Sequence, residues 1–239
     1  MKKLYIVGIG PGGREHMTLK ALEVLKKAET VVGYTYYIEL IKDLIEGKEI
    51  IETGMRGEIE RCRAAIDSVK SGKDTAIIST GDAGLYGMAG PIYEMAEDIE
   101  IEVVPGVTSA FSAASELGAP IMHDFAIISL SDLLTPWELI KKRIEAAAEA
   151  DFVIAIYNPR SKSRTTQIVE AFDIIRKYKK GSTPVGLVRH SGREGREITV
   201  TDVENIDFEK IDMMTVVIVG NRETFIKNGK MITPRGYSI

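Results

Sequence analysis

The sequence predicts an α/β protein: two α/β domains with mainly parallel sheets that share one cleft. Three observations carry this reading. Short apolar runs alternate with longer amphipathic stretches along the chain, the pattern of repeated strand–helix units. Glycine-rich loops follow several of those runs, at the strand ends where open parallel sheets collect their ligands. The 239 residues, 44% hydrophobic and 28% charged, can fill one large or two small cores and keep a polar surface.

Taken in order, residues 4–9 read as a first strand and residues 8–13 (GIGPGG) as the turn after it. Residues 17–28 follow a helical period, with Thr18 as N-cap and Leu19, Leu22 and Leu25 on one face. A short strand at 30–32, a helix at 34–46 and an edge-like strand at 49–52 come next. Residues 58–71 form an amphipathic helix that ends at Gly72, a suitable C′ residue. The apolar run 75–78 is a buried strand, the loop 79–90 (STGDAGLYGMAG) follows it, and 91–96 opens a helix. A strand at 100–104, a turn at Pro105-Gly106 and a small-residue helix at 108–117 complete a first domain, residues 1–120.

The second domain, residues 121–239, repeats the class without repeating the sequence. Strands are expected at 125–129, 152–157, 183–188 and 215–219, and helices at 137–148 and 166–177. Residues 197–201 read as a hairpin partner of 183–188 across the 192–195 turn. A second small hairpin turns at Asn228-Gly229.

Composition excludes several classes. A net charge of −4 gives no electrostatic case for nucleic acid. No apolar run approaches the roughly 20 residues of a membrane span. The N-terminal MKKLYIVGIG reads as a strand running into glycines, not as a signal peptide. The single cysteine, Cys62, rules out an internal disulfide and a cysteine-rich metal site, and as a small buried hydrophobe it fits a reducing cytoplasm. No metal-ligand set is visible.

The loop at 79–90 organises the functional reading. It holds four glycines, one acid (Asp82) and one tyrosine (Tyr86) between a buried strand and a helix. Such a loop lets main chain lie close to a ligand, and equally serves as a plain strand-to-helix turn. The first loop tempts a dinucleotide reading, because Gly8, Gly10 and Gly13 fit G-x-G-x-x-G. A dinucleotide needs an acid near the end of the second strand, and Val32-Gly33-Tyr34 supplies none.

GIGPG, STGDAGLYG and VVPGVTSA, in this order and spacing, resemble the tetrapyrrole methylases, a family of S-adenosylmethionine-dependent enzymes. The resemblance covers the whole chain. Val32-Gly33-Tyr34, TGMR at 53–56, HDF at 123–125, SLSDLLTPW at 129–137, YNPRS at 157–161, GREG at 192–195 and TPRGY at 233–237 resemble one branch. That branch methylates C-17 of precorrin-3B or of its cobalt-containing counterpart.

The resemblance implies two α/β domains, usually in a homodimer, with S-adenosyl-L-methionine folded into the cleft between them. It implies cofactor contacts at Pro11, Thr80, Gly81, Asp82, Leu85, Tyr86, Thr108 and Ser109. The second domain is implied to add Tyr157, Asn158, His190 and Ser191. Thr108 and Ser109 suit a helix cap as well. The implied reaction puts a methyl group on C-17 and contracts the ring, which loses C-20 from its perimeter. Alignment at roughly 3–3.5 Å supplies most of the acceleration for methyl transfer. Ring contraction benefits from a proton donor or acceptor, for which His123, Asp124, Asp132 and His190 are candidates, with His16 beside the first loop as a further one. Each suits a capping or core role too.

A macrocycle with acetate and propionate arms calls for arginines, which bind carboxylates bidentately. Arg56, Arg160, Arg164, Arg189, Arg193 and Arg235 fall in expected loops, Arg160 and Arg189 at the ends of expected parallel strands. Ordinary solvated surface is the other reading of each. Many relatives that methylate uroporphyrinogen carry an acid just after the second strand. Here Tyr34-Thr35-Tyr36 stands in its place, so no catalytic acid is carried over there. Two rivals remain open: a tetrapyrrole methylase acting at another ring carbon, and a non-catalytic binder of a corrinoid intermediate.

Overall fold

Period-two alternation along the strands decides which side chains meet which helices. A computed structural model describes residues 2–238. The chain divides into two units between Ser109 and Ala110.

In the first unit, strands β1 (Lys3–Gly8), β2 (Thr30–Tyr34), β3 (Glu49–Thr53), β4 (Thr75–Ser79) and β5 (Glu100–Val104) are all parallel, in the order β3-β2-β4-β1-β5. Tyr5 and Val7 of β1 point to one face with Val31, Ala76 and Ile78, against helices α1 (Leu19–Lys27) and α2 (Thr35–Glu39). Leu4 and Ile6 point to the other with Val32 and Ile77, against α3 (Glu58–Lys70) and α4 (Ala89–Met95). Thr18 caps α1 as expected, its hydroxyl accepting from the Ala21 amide at 3.1 Å. Of the expected face Leu25 is buried and Leu22 packs at the edge of the core, while Leu19 is 79% exposed; Ala21 and Val24 complete the buried side. The helix expected at 34–46 is α2 followed by a tighter turn at Lys42–Leu44. Ile38, Ile41 and Ile45 keep helical spacing on its buried side, while the hydrogen bonds shorten to three-residue steps. Cys62 is fully buried on α3, and burial pushes its thiol up from its ordinary value. The native protein is therefore expected to resist thiol alkylation at pH 8 and to react fully once unfolded; prompt labelling of the native state would contradict this packing.

In the second unit, helices α5 (Ser109–Leu117), α6 (Trp137–Glu149) and α7 (Gln167–Ile175) accompany strands β6 (Gly118–Ala119), β7 (Phe125–Ser129), β8 (Val153–Tyr157), β9 (Pro184–Arg189), β10 (Glu197–Asp202), β11 (Thr215–Val219), β12 (Phe225–Lys227) and β13 (Lys230–Ile232). The main sheet runs β10-β9-β11-β8-β7. Only β7 and β8 pair in parallel; β8–β11, β11–β9 and β9–β10 are antiparallel, so the expectation of a mainly parallel sheet fails here. A parallel pair needs a crossover, usually a helix. After β9 the chain turns straight back, and only a short helical turn at Phe208–Lys210 precedes β11. Both expected hairpins form, β9 with β10 and β12 with β13.

The division between units falls ahead of the expected boundary at 120/121. Ala110, Ala113, Ala114 and Leu117 of α5 pack with Val153, Ala155, Val188, Ile218 and Met231, all of the second unit. Gly118 and Ala119 pair with β13. The opposite face of the sheet packs on α6 and α7 around Phe172, which is fully buried and edge-on to Phe208 at 5.5 Å.

Candidate functional site

The first unit's parallel strands end together, and two adjacent ones leave in opposite directions. β1 leads to α1 on the Tyr5 face, while its neighbour β4 leads to α4 on the Leu4 face. In an open parallel sheet this switch point is the ligand crevice. Its lining is the two glycine loops, locked to each other. The Gly81 amide donates to Gly10 O at 2.7 Å, Gly10 donates back at 3.1 Å, and Ile9 donates to Ser79 O at 2.9 Å. The Ser79 hydroxyl accepts from the Met88 amide at 3.1 Å, tying the far end of the loop down. Asp82 buckles the junction: Oδ1 accepts from Gly84 N at 2.8 Å and Oδ2 from Gly106 N at 2.9 Å. Gly106 sits so close that a Cβ there would stand 2.1 Å from Gly81 O.

Pro11 is buried, Thr80 and Leu85 half-buried, and Tyr86 exposed with φ +55°. A side chain at Gly81 would touch the Thr108 and Ser109 backbone at 3.7 Å, so the VTS segment lies against the glycine loop. Thr108 is buried one residue before α5, a position that suits a cap as well as a ligand contact.

In the second unit β7, β8 and β9 point the same way, because β9 and β8 both oppose β11. Their carboxyl ends gather three of the motif loops on one edge. Asn158 and His190 leave β8 and β9 with φ of +49° and +54°, conformations that non-glycine residues adopt at a cost and often at functional sites. Tyr157 OH accepts from the Ala110 amide at 2.7 Å, satisfying a free donor in the first turn of α5. Asn158 Nδ2 donates to Ser129 Oγ at 3.0 Å, and the Arg164 guanidinium, nearly buried, donates to Asn158 O at 2.9 Å. Asp132 joins this group by accepting from Gln167 Nε2 at 2.9 Å, with Arg164 Nη1 at 3.9 Å.

His123 and Asp124 do not join it. They precede β7, at the opposite end from Ser129, separated by roughly 16 Å of strand at about 3.3 Å per residue. His123 Nδ1 accepts from the Asp124 amide, and Asp124 is exposed. The expected proton carriers thus split, with Asp132 and His190 on the loop-bearing edge, His123 and Asp124 away from it, and His16 in the short turn after the first glycine loop.

The arginines split similarly. Arg160 donates to Phe208 O at 2.9 Å and Glu209 at 3.1 Å. Arg189, at the end of a strand in antiparallel pairs, donates to Asp212 at 2.8 Å and Glu197 at 3.0 Å. Burial pushes the Asp212 carboxyl up, but hydrogen bonds from Thr215, the Met214 amide and Arg189 outweigh it and hold it below the ordinary value. Arg193 is half-buried, and Arg56 and Arg235 are exposed. A depression of about 610 Å³ is lined by Arg189 and Lys210 together with Glu197, Glu209 and Asp212, so its two cations already face three carboxylates.

Sequence reasoning missed two charged residues that hold motif loops in place, one half-buried and one buried. Glu116 on α5 holds the loop after β9: its Oε1 accepts from Ser191 Oγ and Gly192 N, both at 3.1 Å, and Arg196 Nε lies 3.6 Å from Oε2. Ser191 Oγ is also 2.6 Å from Ser112 Oγ. Its signal in the sequence is slight, one acid in an Ala/Ser-rich helix. Replacing it (Glu116→Ala) leaves the Gly192 amide without its acceptor and Ser191 with Ser112 alone, an expected loss of about 1–3 kcal/mol. Glu116→Gln is expected to lose less. Melting curves and exchange of the Gly192 amide check this, and an alanine variant with wild-type stability and protection would contradict it. The other is Arg61, described below.

The fold and its two crossed glycine loops define an α/β protein whose strand-end loops are locked together at a switch point of the first sheet. The profile of the Tetrapyrrole (Corrin/Porphyrin) Methylases matches residues 3–207, and the chain belongs to that family. It is 51% identical over 240 residues to the probable cobalt-factor III C(17)-methyltransferase of Salmonella typhimurium, covering 99% of this chain and 100% of that protein. It is 49% identical to the cobalt-factor III methyltransferase of Priestia megaterium, over 98% of this chain and 45% of that longer protein. Its structure matches that of the methyltransferase CobJ with a TM-score of 0.93 at 33% identity, covering 98% of this chain and 100% of the other.

Proposed function

We propose that this enzyme transfers a methyl group from S-adenosylmethionine to C-17 of precorrin-3 or its cobalt-containing counterpart, with contraction of the ring, in cobalamin biosynthesis. The observation that carries it is the locked pair of glycine loops at the β1/β4 switch point, in a chain 51% identical end to end to a cobalt-factor III C(17)-methyltransferase. The crevice fits a nucleoside-bearing ligand without a pyrophosphate. It has close backbone, hydroxyls at Thr80, Thr108 and Ser109, and apolar edges at Pro11 and Leu85, but no acid at the end of β2. When bound, S-adenosylmethionine supplies an electrophilic methyl group.

The protein's part is to hold and orient. In the first unit Gly81 and its neighbours offer main-chain groups, while Asp82 keeps the loop in shape rather than facing the ligand alone. Tyr86 is assigned to the same ligand. In the second unit Tyr157, Asn158, His190 and Ser191 are assigned to the cofactor on the family resemblance. His190 and Asp132, on the loop-bearing edge, are the remaining residues for moving a proton during ring contraction. Arg56, Arg164 and Arg193 are the arginines assigned to the carboxylate rim. The reading includes a homodimer in the cytoplasm, with no nucleic acid and no membrane partner; among the described residues no helix is long and apolar enough to cross a membrane.

Incubation of the purified protein with S-adenosylmethionine and either macrocycle is expected to release S-adenosylhomocysteine. Release with one macrocycle only decides whether cobalt must already be present. No release with either, despite binding of the macrocycle, would leave a corrinoid-binding protein as the better account.

A further inference from the structure

The ligand edge of the first sheet carries a second cluster, beside the glycine loops, of which the reading above uses only Arg56. Tyr34, Tyr36 and Tyr37 leave the end of β2 with their rings packed on one another, 5.1 Å apart for Tyr34–Tyr37 and 6.2–6.4 Å for the other two pairs. Gly33 admits this sharp exit, since a Cβ there would stand 2.8 Å from Ile78 and 2.9 Å from Ile38. The neighbouring strand β3 ends in the turn Thr53-Gly54-Met55-Arg56. That turn is held from beneath by Arg61, a guanidinium only 5% exposed. Nη1 donates to Thr53 Oγ1 at 2.6 Å and to Gly54 O at 3.0 Å, Nη2 lies 3.3 Å from Glu58, and Cζ sits 5.9 Å from the centre of the Tyr34 ring. One buried cation therefore fixes both the aromatic group and the turn. In the same two segments Tyr36 is 41% exposed and Met55 64%. Arg56 is exposed too, held at φ +67° with no ion pair of its guanidinium among the described residues.

We propose that these residues form a subsite for a flat, carboxylate-rimmed macrocycle: Tyr36 and Met55 give it an apolar face, Arg56 binds a rim carboxylate, and Arg61 is the positioning residue. The inference deepens the methyltransferase reading and rests on it. Three physical points support it. Arginine recognises carboxylates in a bidentate, planar manner, and aromatic rings stack on flat π-systems. A strained left-handed backbone at a non-glycine residue persists only where its surroundings enforce it, and Arg61 anchors the start of the turn that holds Arg56. The subsite lies on the same sheet edge as the glycine loops, roughly 5–10 Å away across one or two strand spacings, a distance such a macrocycle bridges.

The test is binding of uroporphyrin, an octacarboxylate macrocycle, followed by its absorbance shift, together with binding of S-adenosylmethionine by calorimetry. Arg56→Ala is expected to weaken uroporphyrin binding about tenfold or more, with Arg56→Lys between it and wild type. Tyr36→Ala is expected to weaken it about threefold to tenfold. Arg61→Lys is expected to weaken it as well, with its fold checked by melting and circular dichroism. S-adenosylmethionine affinity stays within twofold in all four. Added salt is expected to weaken binding to wild type more than to Arg56→Ala. Wild-type affinity for uroporphyrin in Arg56→Ala and Tyr36→Ala, or no uroporphyrin binding by wild type, overturns the subsite. Failure of the underlying reading shows differently: uroporphyrin binds and responds to these changes, yet no methyl transfer occurs on either corrin precursor.

Discussion

Gly106→Ala is expected to abolish measurable binding of S-adenosylmethionine and to lower stability by about 3 kcal/mol. Its Cβ would stand 2.1 Å from Gly81 O and 2.7 Å from the Gly8 carbonyl, and both neighbours are backbone that cannot swing aside. Relief requires the Pro105-Gly106 turn to move. That movement breaks the Gly106 N–Asp82 bond and with it the register of the loop at 79–90. A displacement near 1 Å in a positioning loop is enough to cost about a hundredfold in rate. Gly90→Ala is the control. Beyond its chain neighbours and its own helix backbone nothing lies within 4 Å of a Cβ there, and with Pro91 next in the first turn of α4 the change is expected to stay within about 1 kcal/mol of wild type. Calorimetric titration and melting of both variants check the pair. Tight binding by Gly106→Ala would show that the crossed loops do not hold the ligand.

Lys179→Met is expected to be the costliest single side-chain change away from the site, at about 3 kcal/mol. Lys179 is almost wholly buried, donates to Asp151 at 3.2 Å and to Phe152 O at 2.9 Å, and burial lowers its pKa. Methionine fits the volume but leaves Asp151, with 19% of its side chain exposed, to the exposed Arg222 alone. Adding Asp151→Asn removes the uncompensated charge, so the double variant is expected to be more stable than the sum of the single changes. The pH dependence has a definite sign. Burial raises the Asp151 carboxyl, and hydrogen bonds from Arg222 and Lys179 overcome that and hold it below the ordinary value. The contribution is therefore present above the unfolded carboxylate pKa of about 3.9 and is lost as pH falls through the lower folded value. Denaturant titrations between pH 3 and pH 7 check it. Additive costs, or no acid-dependent difference between wild type and the variant, would contradict the pairing.

Much of the first unit was legible because its information is local. Apolar runs with period-two alternation bounded by glycines mark parallel strands, and Thr18 and Gly72 mark helix ends. The second unit shows what such patterns lack. Periodicity identifies β9 and β11 as buried strands but says nothing about direction, and without a crossover helix the sheet became mostly antiparallel. The same limit explains His123 and Asp124. They adjoin the strand that carries the SLSDLLTPW motif, yet they enter it at the far end. Arg160 and Arg189 were read from loop position, whereas their partners, Glu209 and Asp212, lie outside those loops in sequence. Glu116 and Arg61 owe their roles to contacts 75 and 8 residues away that no short motif records.

The account is tested most directly by locating the transferred carbon. S-adenosylmethionine with a ¹³C-labelled methyl group, incubated with the protein and cobalt-factor III or precorrin-3B, is followed by NMR of the isolated product. The expected result is a single labelled methyl on C-17 of a contracted ring. Label on another ring carbon, or on C-17 of an uncontracted ring, would contradict it while leaving the family and fold intact.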